Sequence, residues 1–312
     1  MLRITVFTPT YNRAYTLPRL YESLKAQTFH NFEWVIVDDG SADNTAEIVR
    51  GFIQERPFFE IKYRKTENGG KHRAINRGMD LVEGELFLMM DSDDWLRKDA
   101  LEWIDRVEKE IPEEQKSQFA GVYGLKCHTD GSLIGSTFDG ATLDITYFER
   151  EKYGVSGDKA EIYYSKYMRQ FPFPEFEGEK FCTECLVWDQ VAALGLKLRH
   201  FNEGIYFGEY LEDGLTHREK KLYAENPKQY GQYVHNIYAF RKQDRIHAMI
   251  KIYEYYLYEK EKISFGDICR NLNLGIPTVL LALSIQVVLD FGRSILHCGN
   301  TVRASVEREK NG

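Results

Sequence analysis

The first ninety residues alternate between two hydrophobic periodicities. Ile4-Thr5-Val6-Phe7 is a strand-like run; Leu17, Leu20, Tyr21 and Leu24 then recur at i, i+3, i+4 and i+7, the spacing of one helix face, with Thr16 placed to cap it. Trp34-Val35-Ile36-Val37 predicts a second strand, and Ile48, Val49, Phe52 and Ile53 a second helix that Asp43 or Asn44 can start. Ile61 to Tyr63 gives a third strand, Ile75, Met79 and Val82 a third helix face, and Leu86 to Met90 a fourth strand. Each period, starting at about residues 4, 34, 61 and 86, has room for one strand, one helix and two turns, which is a βαβ series. Strands that read as continuous apolar runs are buried on both faces, so the expected fold is α/β: a Rossmann-like, mainly parallel sheet flanked by helices. Right-handed crossovers place the carboxyl ends of these strands along one edge.

After about residue 112 the regularity stops. Residues 119 to 137 read as one or two strands with Gly131 in a turn, and Asp158 to Gln170 as a Tyr-rich helix broken by Phe171-Pro172-Phe173-Pro174. Val187, Val191 and Leu194 form a short helical stripe, and residues 228 to 262 a long polar and aromatic helical region.

Composition changes this picture little. The chain has 312 residues, 43% hydrophobic and 29% charged, as expected for two globular units or one domain with appendages. Its 41 Lys and Arg against 48 Asp and Glu give a net charge of -7, which argues against nucleic acid as a partner, since that affinity comes from neutralising phosphates. Five scattered cysteines, an odd number, form no disulfide framework and suit a reducing compartment. No basic n-region, apolar h-region or cleavage site precedes the run Ile4 to Phe7, so a cytoplasmic protein is expected.

Candidate chemistry lies in two acidic clusters. Asp38-Asp39-Gly40-Ser41 directly follows the second strand, and Asp91-Ser92-Asp93-Asp94 the fourth. Open α/β sheets bind ligands beyond the carboxyl ends of their strands, so both clusters are expected to face one pocket. Asp is also a common turn and helix cap, and either cluster alone carries that reading equally well. Five converging carboxylates would repel one another; a divalent cation and hydrogen-bond donors from a ligand would relieve that repulsion. An EF-hand reading of Asp91, Asp93 and Asp94 fails, because the sixth loop position is Leu96 where glycine is needed. No GxGxxG follows the first strand, which disfavours a dinucleotide-binding dehydrogenase.

Four segments in order, Thr8-Pro9-Thr10-Tyr11-Asn12-Arg13, Val37-Asp38-Asp39-Gly40-Ser41, Asn68-Gly69-Gly70-Lys71 with Ala74 and Asn76, and Asp91-Ser92-Asp93-Asp94, resemble family 2 glycosyltransferases of the GT-A fold over about residues 1 to 110. Gly178-Glu179-Lys180-Phe181-Cys182-Thr183-Glu184, and Tyr210 with Asp213-Gly214-Leu215-Thr216, resemble a branch found in capsular and other cell-surface polysaccharide synthesis. The resemblance implies a nucleotide-sugar donor, most often a UDP-sugar. From it a hexosyl or N-acetylhexosaminyl group would pass, with inversion, to a glycan or lipid-linked saccharide acceptor. Pro9 and Tyr11 would line the base pocket, Tyr11 by stacking, and Asp39 would accept a hydrogen bond from the uracil N–H. Lys71 would lie near the nucleotide. Asp91 and Asp93 make the family's DxD pattern, with Asp93 as the main ligand of a Mn2+ or Mg2+ ion bridging the donor phosphates; such an ion needs only one or two protein carboxylates. The acceptor's base would be a carboxylate downstream, with Thr183-Glu184-Cys185 the best match and Glu179 the second choice. Cys185 stands where the family pattern has a second acid. His217 is either a further metal or diphosphate contact or a surface residue.

The expected organisation is a GT-A domain over residues 1–225, with a nucleotide-binding half to about 110 and an acceptor-side extension from 111, followed by a helical C-terminal appendage over 226–312. Ile276 to Leu289 is the most apolar stretch, and its fourteen residues fall short of the ~20 of a membrane span. It reads either as a helix packed on the protein or as an interfacial helix on the inner membrane face, with Arg293 and Arg303 near anionic lipid. Cys182 and Cys185 form a CxxC with no second CxxC or paired histidines to complete a zinc site. Trp95, Trp103 and Trp188 are expected to pack, with Trp95 also placed to stack on an acceptor. Two other functional classes share strand-end carboxylates. A nucleotidyltransferase usually begins with a Gly-rich loop that Thr8 to Arg13 lacks; the other is a nucleotide-sugar-binding module without catalysis.

Overall fold

The computed structural model describes residues 2–209, 218–241 and 245–285, and the chain divides into two compact units, Met1–Leu222 and Tyr223–Gly312. The first unit opens with the expected alternation: β1 (Ile4–Thr10), α1 (Leu17–Lys25), β2 (Phe32–Asp38), α2 (Thr45–Gln54), β3 (Glu60–Lys65), α3 (Lys71–Gly78) and β4 (Leu86–Met89). β1 and β2 are buried along their whole length, as the unbroken apolar runs require. α1 buries Leu17, Leu20, Tyr21 and Leu24. Thr16 occupies its N-cap position without a side-chain cap bond; its hydroxyl donates to the Arg13 carbonyl instead. At α2 Asp43 does the work, its Oδ1 accepting from Thr45 N at 3.0 Å.

The sheet runs β3-β2-β1-β4 in parallel, then continues through β8 (Lys159–Tyr164), β6 (Phe119–Cys127), β9 (Lys197–Phe207) and β5 (Trp95–Leu96), with β7 (Thr142–Ile145) also on β9. β8 is antiparallel to both β4 and β6, whereas β6 and β9 are parallel. The sheet is therefore wholly parallel in the N-terminal half and mixed beyond it. α4 (Ala100–Lys109), α5 (Ser165–Gln170) and α6 (Cys185–Ala193) complete the unit up to α7 (Glu219–Glu225).

Two elements differ from the sequence reading. α3 ends at Gly78, so Met79 and Val82 of its expected apolar face lie beyond the helix. Residues 159–164 form a strand, and only 165–170 are helical. Tyr163, Tyr164, Tyr167 and Met168 imitate a helix face by spacing, but the segment lies between β4 and β6, where a helix would leave two strand edges unpaired. Aromatic and β-branched residues such as Ile162, Tyr163 and Tyr164 accept the pleated alternative readily.

The second unit is a helical cluster of α8 (Pro227–Phe240), α9 (Arg245–Glu259), α10 (Phe265–Asn271) and α11 (Ile276–Ile285). Tyr230, Val234, Ile252, Tyr255, Ile268 and Leu272 form its core, joined by Val279 and Ala282 from α11. The opposite side of α11 leaves Ile276, Leu280 and Leu281 exposed, so the apolar stretch is packed on one face and open on the other within its described length. Among the described residues no single helix is long and apolar enough to cross a membrane; α10 and α11, bent by 100°, meet the length and composition requirements only as a pair.

Two buried histidines make acid stability predictable. His72 and His200 are each 2% exposed. Burial, reinforced by Arg73 for His72 and by Arg150 and Lys159 for His200, lowers their pKa from 6.5 to about 4 and about 3. Both stay neutral in the fold while the unfolded chain binds protons below 6.5, so their stabilisation is complete above that pH and is lost as pH falls towards 4. Each histidine then costs on the order of 3 kcal/mol near the acid end of this window. Urea titrations from pH 7 to 4 are expected to show this decline, and His200→Gln to flatten it; an unchanged slope in the variant would exclude His200 as a source.

Candidate active site

The carboxyl ends of β1, β2 and β4 meet at one edge, and hydrogen bonds stitch their loops together. Asn12, at φ 53°, donates its backbone N–H to Ser41 Oγ at 2.8 Å, and its Oδ1 accepts from Ala42 N at 2.8 Å. Pro9 is buried in β1, whereas the Tyr11 ring just beyond it is 48% exposed at the edge.

The two aspartates after β2 have separate tasks. Asp38 is structural: Ser41 N donates to its Oδ1 at 2.7 Å and the Tyr63 hydroxyl to its Oδ2 at 2.7 Å. Asp39 grips the loop before α3, accepting from Gly69 N at 2.8 Å, Gly70 N at 2.7 Å and Asn68 Nδ2 at 3.0 Å. A carboxylate has about four acceptor positions, so these three bonds leave one for a ligand N–H.

That grip positions Lys71, the first residue of α3. Its Nζ lies 2.6 Å from Asp91 Oδ1 and 2.8 Å from Glu184 Oε1, joining the DxD segment to the N-terminus of α6. Burial alone would lower the Lys71 pKa; the two carboxylates outweigh it and hold the ammonium well above 10.5. Asp91 is half-buried; desolvation acts to raise its pKa, yet Lys71 and Lys126 keep it below the usual carboxylate range. The Asp91 backbone N–H donates to the Tyr206 hydroxyl at 3.0 Å, which ties the segment to β9.

The last carboxylate of the DxD segment faces inward. Asp94 is 3% exposed and pairs with Lys126 Nζ at 2.8 Å, packed so tightly that a Cβ on Gly208 would fall on its oxygens. Asp93 differs: its Oδ2 has Arg13 Nε only at 3.9 Å, and burial and the neighbouring Asp91 charge raise its pKa. The expected mutual repulsion is thus relieved largely by the protein itself, through Lys71, Lys126 and backbone N–H groups, and Asp93 is the carboxylate left least compensated. Among the described residues no group of three His, Cys, Asp or Glu side chains forms a metal-holding set. The donor set at Asp93 fits a hard divalent cation that takes one or two carboxylates and fills its other positions with phosphate oxygens and water.

Glu184 is carried to this edge by the preceding loop. Gly70 has φ 99°, and a Cβ there would collide with the Lys180 carbonyl, so the loop lies directly on the glycine. Arg73 clamps it from α3, donating to the carbonyls of Gly69 at 2.7 Å, Phe176 at 2.6 Å and Glu179. Glu179 is 6% exposed, against 31% for the Glu184 side chain. Cys182 and Cys185 are free thiols; burial pushes the Cys182 thiol up, and the Cys185 Sγ lies 3.3 Å from the Tyr147 hydroxyl. Trp188 and Trp103 pack, on Tyr163 at 4.2 Å and Phe201 at 6.2 Å, while Trp95 carries the Arg19 guanidinium 4.0 Å above its ring. Tyr210, Asp213 and His217 lie outside the described residues.

Sequence reasoning missed Lys126, although a lysine inside the apolar run of β6 is a legible signal of a buried ionic partner. It also missed Arg13 and Arg19, and the Tyr206 hydroxyl, which carried no such signal.

A mixed α/β sheet with helices on both faces and ligand-type side chains at the carboxyl edge of its parallel half is the GT-A architecture. Residues 5–109 match the family described as Glycosyl transferase family 2. The chain is similar to glycosyltransferase GlyA of Streptococcus pneumoniae, 29% identical over 71% of this chain and 30% of the relative. It also resembles the poly(ribitol-phosphate) beta-N-acetylglucosaminyltransferase TarS of Staphylococcus aureus, 35% identical over 32% of this chain and 18% of the relative. The chain thus spans under a third of either relative. A crystal structure of TarS residues 1–349 in complex with UDP-GlcNAc shares the fold at a TM-score of 0.60, with 21% identity over 86% of this chain and 81% of that one.

The Asp39 grip is expected to be worth about 1–3 kcal/mol, because Asp39→Asn replaces one acceptor oxygen with an NH2 donor and sets it against the backbone N–H groups of the loop. Chemical denaturation of the variant checks this, and unchanged stability would show the loop to be held by other contacts.

Proposed function

We propose that this chain is a metal-dependent, inverting glycosyltransferase of cell-surface polysaccharide synthesis. It takes a hexosyl or N-acetylhexosaminyl group from a nucleotide-sugar, a UDP-sugar, to a glycan or lipid-linked saccharide acceptor. The carrying observation is that Lys71 bonds at once to Asp91 and Glu184, so the nucleotide-side motifs and the candidate base border a single site. The family match and the UDP-GlcNAc complex of a similarly folded protein support the donor class.

In this reading Tyr11, exposed beside buried Pro9, stacks on the base, and the remaining acceptor position of Asp39 takes the uracil N–H. Asp93 would hold Mn2+ or Mg2+, with Asp91 beside it on the donor; bound there, the ion supplies neutralisation of the departing diphosphate. Lys71, a cation on a flexible stem at the same edge, would then turn towards the donor phosphates. That movement frees Glu184 Oε1 from its ion pair, and Glu184 then removes the proton of the attacking acceptor hydroxyl from the side opposite the leaving group. Residues from 111 supply the acceptor side. In this reading the protein works in the cytoplasm, and the exposed Ile276, Leu280 and Leu281 of α11 suit contact with the inner membrane face.

Calorimetry with UDP-sugars is expected to show tighter binding with Mn2+ than without it, and Asp93→Ala to abolish that difference; equal affinities in the wild type would defeat the metal's role. Glu184→Gln is expected to keep donor binding and to lower transfer by roughly 10²–10⁴-fold, the usual contribution of a general base. Near-normal turnover would remove Glu184 from that role, and donor binding without any turnover in the wild type would favour a binding module.

A further inference from the structure

The segment that carries the DxD aspartates is anchored from two sides. On the sheet side the Tyr206 hydroxyl accepts from Asp91 N, and Lys126 pairs with Asp94. On the other side α1 presents Arg19, Ser23 and Gln27 at i, i+4 and i+8, a single stripe that continues just past the helix C-cap at Ala26. Each of the three bonds the main chain of residues 93–101. The Arg19 guanidinium donates to the Asp93 carbonyl. Ser23 Oγ accepts from Leu96 N at 3.2 Å, and Gln27 donates to the Arg97 carbonyl at 2.8 Å while accepting from Leu101 N at 3.1 Å.

Arg19 stands at the end of this stripe nearest the candidate cation ligand, and it is exposed, whereas Gln27 is buried. An exposed arginine loses much rotamer freedom when it is fixed, so it needs a second hold. Trp95 supplies it: the guanidinium lies 4.0 Å above the indole, which itself stacks with Phe207 at 6.1 Å across β5 and β9. The stack fixes the guanidinium, and the guanidinium fixes the carbonyl. Asp93 lies in a turn before β5, where no strand ladder holds it. A ligand side chain on such a turn has to be held to within about 0.5 Å to meet an ion reproducibly. Because Arg19 is engaged by a carbonyl and a ring, it braces Asp93 without occupying the carboxylate oxygens that an ion would need.

We infer that Arg19 is a positioning residue for divalent-cation binding, acting through the backbone of Asp93 and the ring of Trp95. The inference rests on the reading of Asp93 as the cation's ligand. It has a sign that a simple charge effect lacks. Removing a nearby positive charge strengthens the binding of a cation, since like charges repel, whereas loosening the turn that presents its ligand weakens it.

Calorimetry with UDP, with and without Mn2+, and electron paramagnetic resonance of free Mn2+ test it on the full chain. Arg19→Ala is expected to weaken Mn2+ binding to the UDP complex by roughly 10–100-fold, the usual cost of losing a residue that orients a metal ligand. UDP binding without metal is expected to stay within about twofold of wild type, and the thermal midpoint to fall by no more than about 4 °C, as the loss of one exposed cation–ring contact allows. Arg19→Lys, which keeps a donor and a positive charge above the indole, is expected to recover part of the Mn2+ affinity. Equal or tighter Mn2+ binding in Arg19→Ala, an equal loss of metal-free UDP binding, or no recovery in Arg19→Lys would overturn the inference while leaving the metal at Asp93 intact. Wild-type UDP binding that is indifferent to Mn2+ would instead defeat the metal reading, and the inference with it.

Discussion

The ion pair that Lys71 makes with Asp91 and Glu184 is the constraint through which the rest of the site is organised. A lysine between two carboxylates at 2.6 and 2.8 Å fixes the end of β4 against the start of α6, segments more than ninety residues apart in the chain. The three side chains are a quarter to two fifths exposed, so the arrangement is half-buried and its contribution is positional as well as energetic. Lys71 itself is placed by backbone chemistry. Asp39 holds the N–H groups of Gly69 and Gly70, and α3 starts at the next residue.

The same helix sets the position of the downstream loop. Arg73 collects three carbonyls, two of them from residues 176–179, and Gly70 lies against the Lys180 carbonyl, where no side chain fits. A guanidinium suits this work because its donors form a rigid planar fork. The motif Asn68-Gly69-Gly70-Lys71 therefore serves both sides at once: its glycines admit the loop that carries Glu184, and its lysine meets Glu184 when it arrives.

Legibility in the sequence followed the locality of the cause. β1 to β4 and their helices were readable because each apolar run states its own burial, and parallel pairing follows from the crossovers. β8 was misread because its identity is decided by β4 and β6, which pair with it from distant segments. The clusters at Asp38 and Asp91 were readable as strand-end carboxylates, but their division of labour was not. Which of the two buried aspartates braces β3 and which grips the loop before α3 depends on Tyr63 and Gly70, contacts that no spacing rule contains. Lys126 shows an intermediate case. Its charge within β6 announces a partner, and only the fold shows that the partner is Asp94.

The distribution of charge at the edge explains why one carboxylate stands apart. Asp91 is neutralised by Lys71, Asp94 by Lys126, and Asp38 and Asp39 by N–H and O–H donors, whereas Arg13 stands 3.9 Å from Asp93. In the proposed reaction that asymmetry is useful, since a cation held at Asp93 need not displace an existing pair. Lys71 is the exception that must move, and its flexible stem with three rotatable donors allows it to trade Glu184 for phosphate without losing Asp91. Donor entry and release of the base then become one event. A site arranged in this way keeps Glu184 ion-paired while no diphosphate is present and makes the base available only in the donor-bound state.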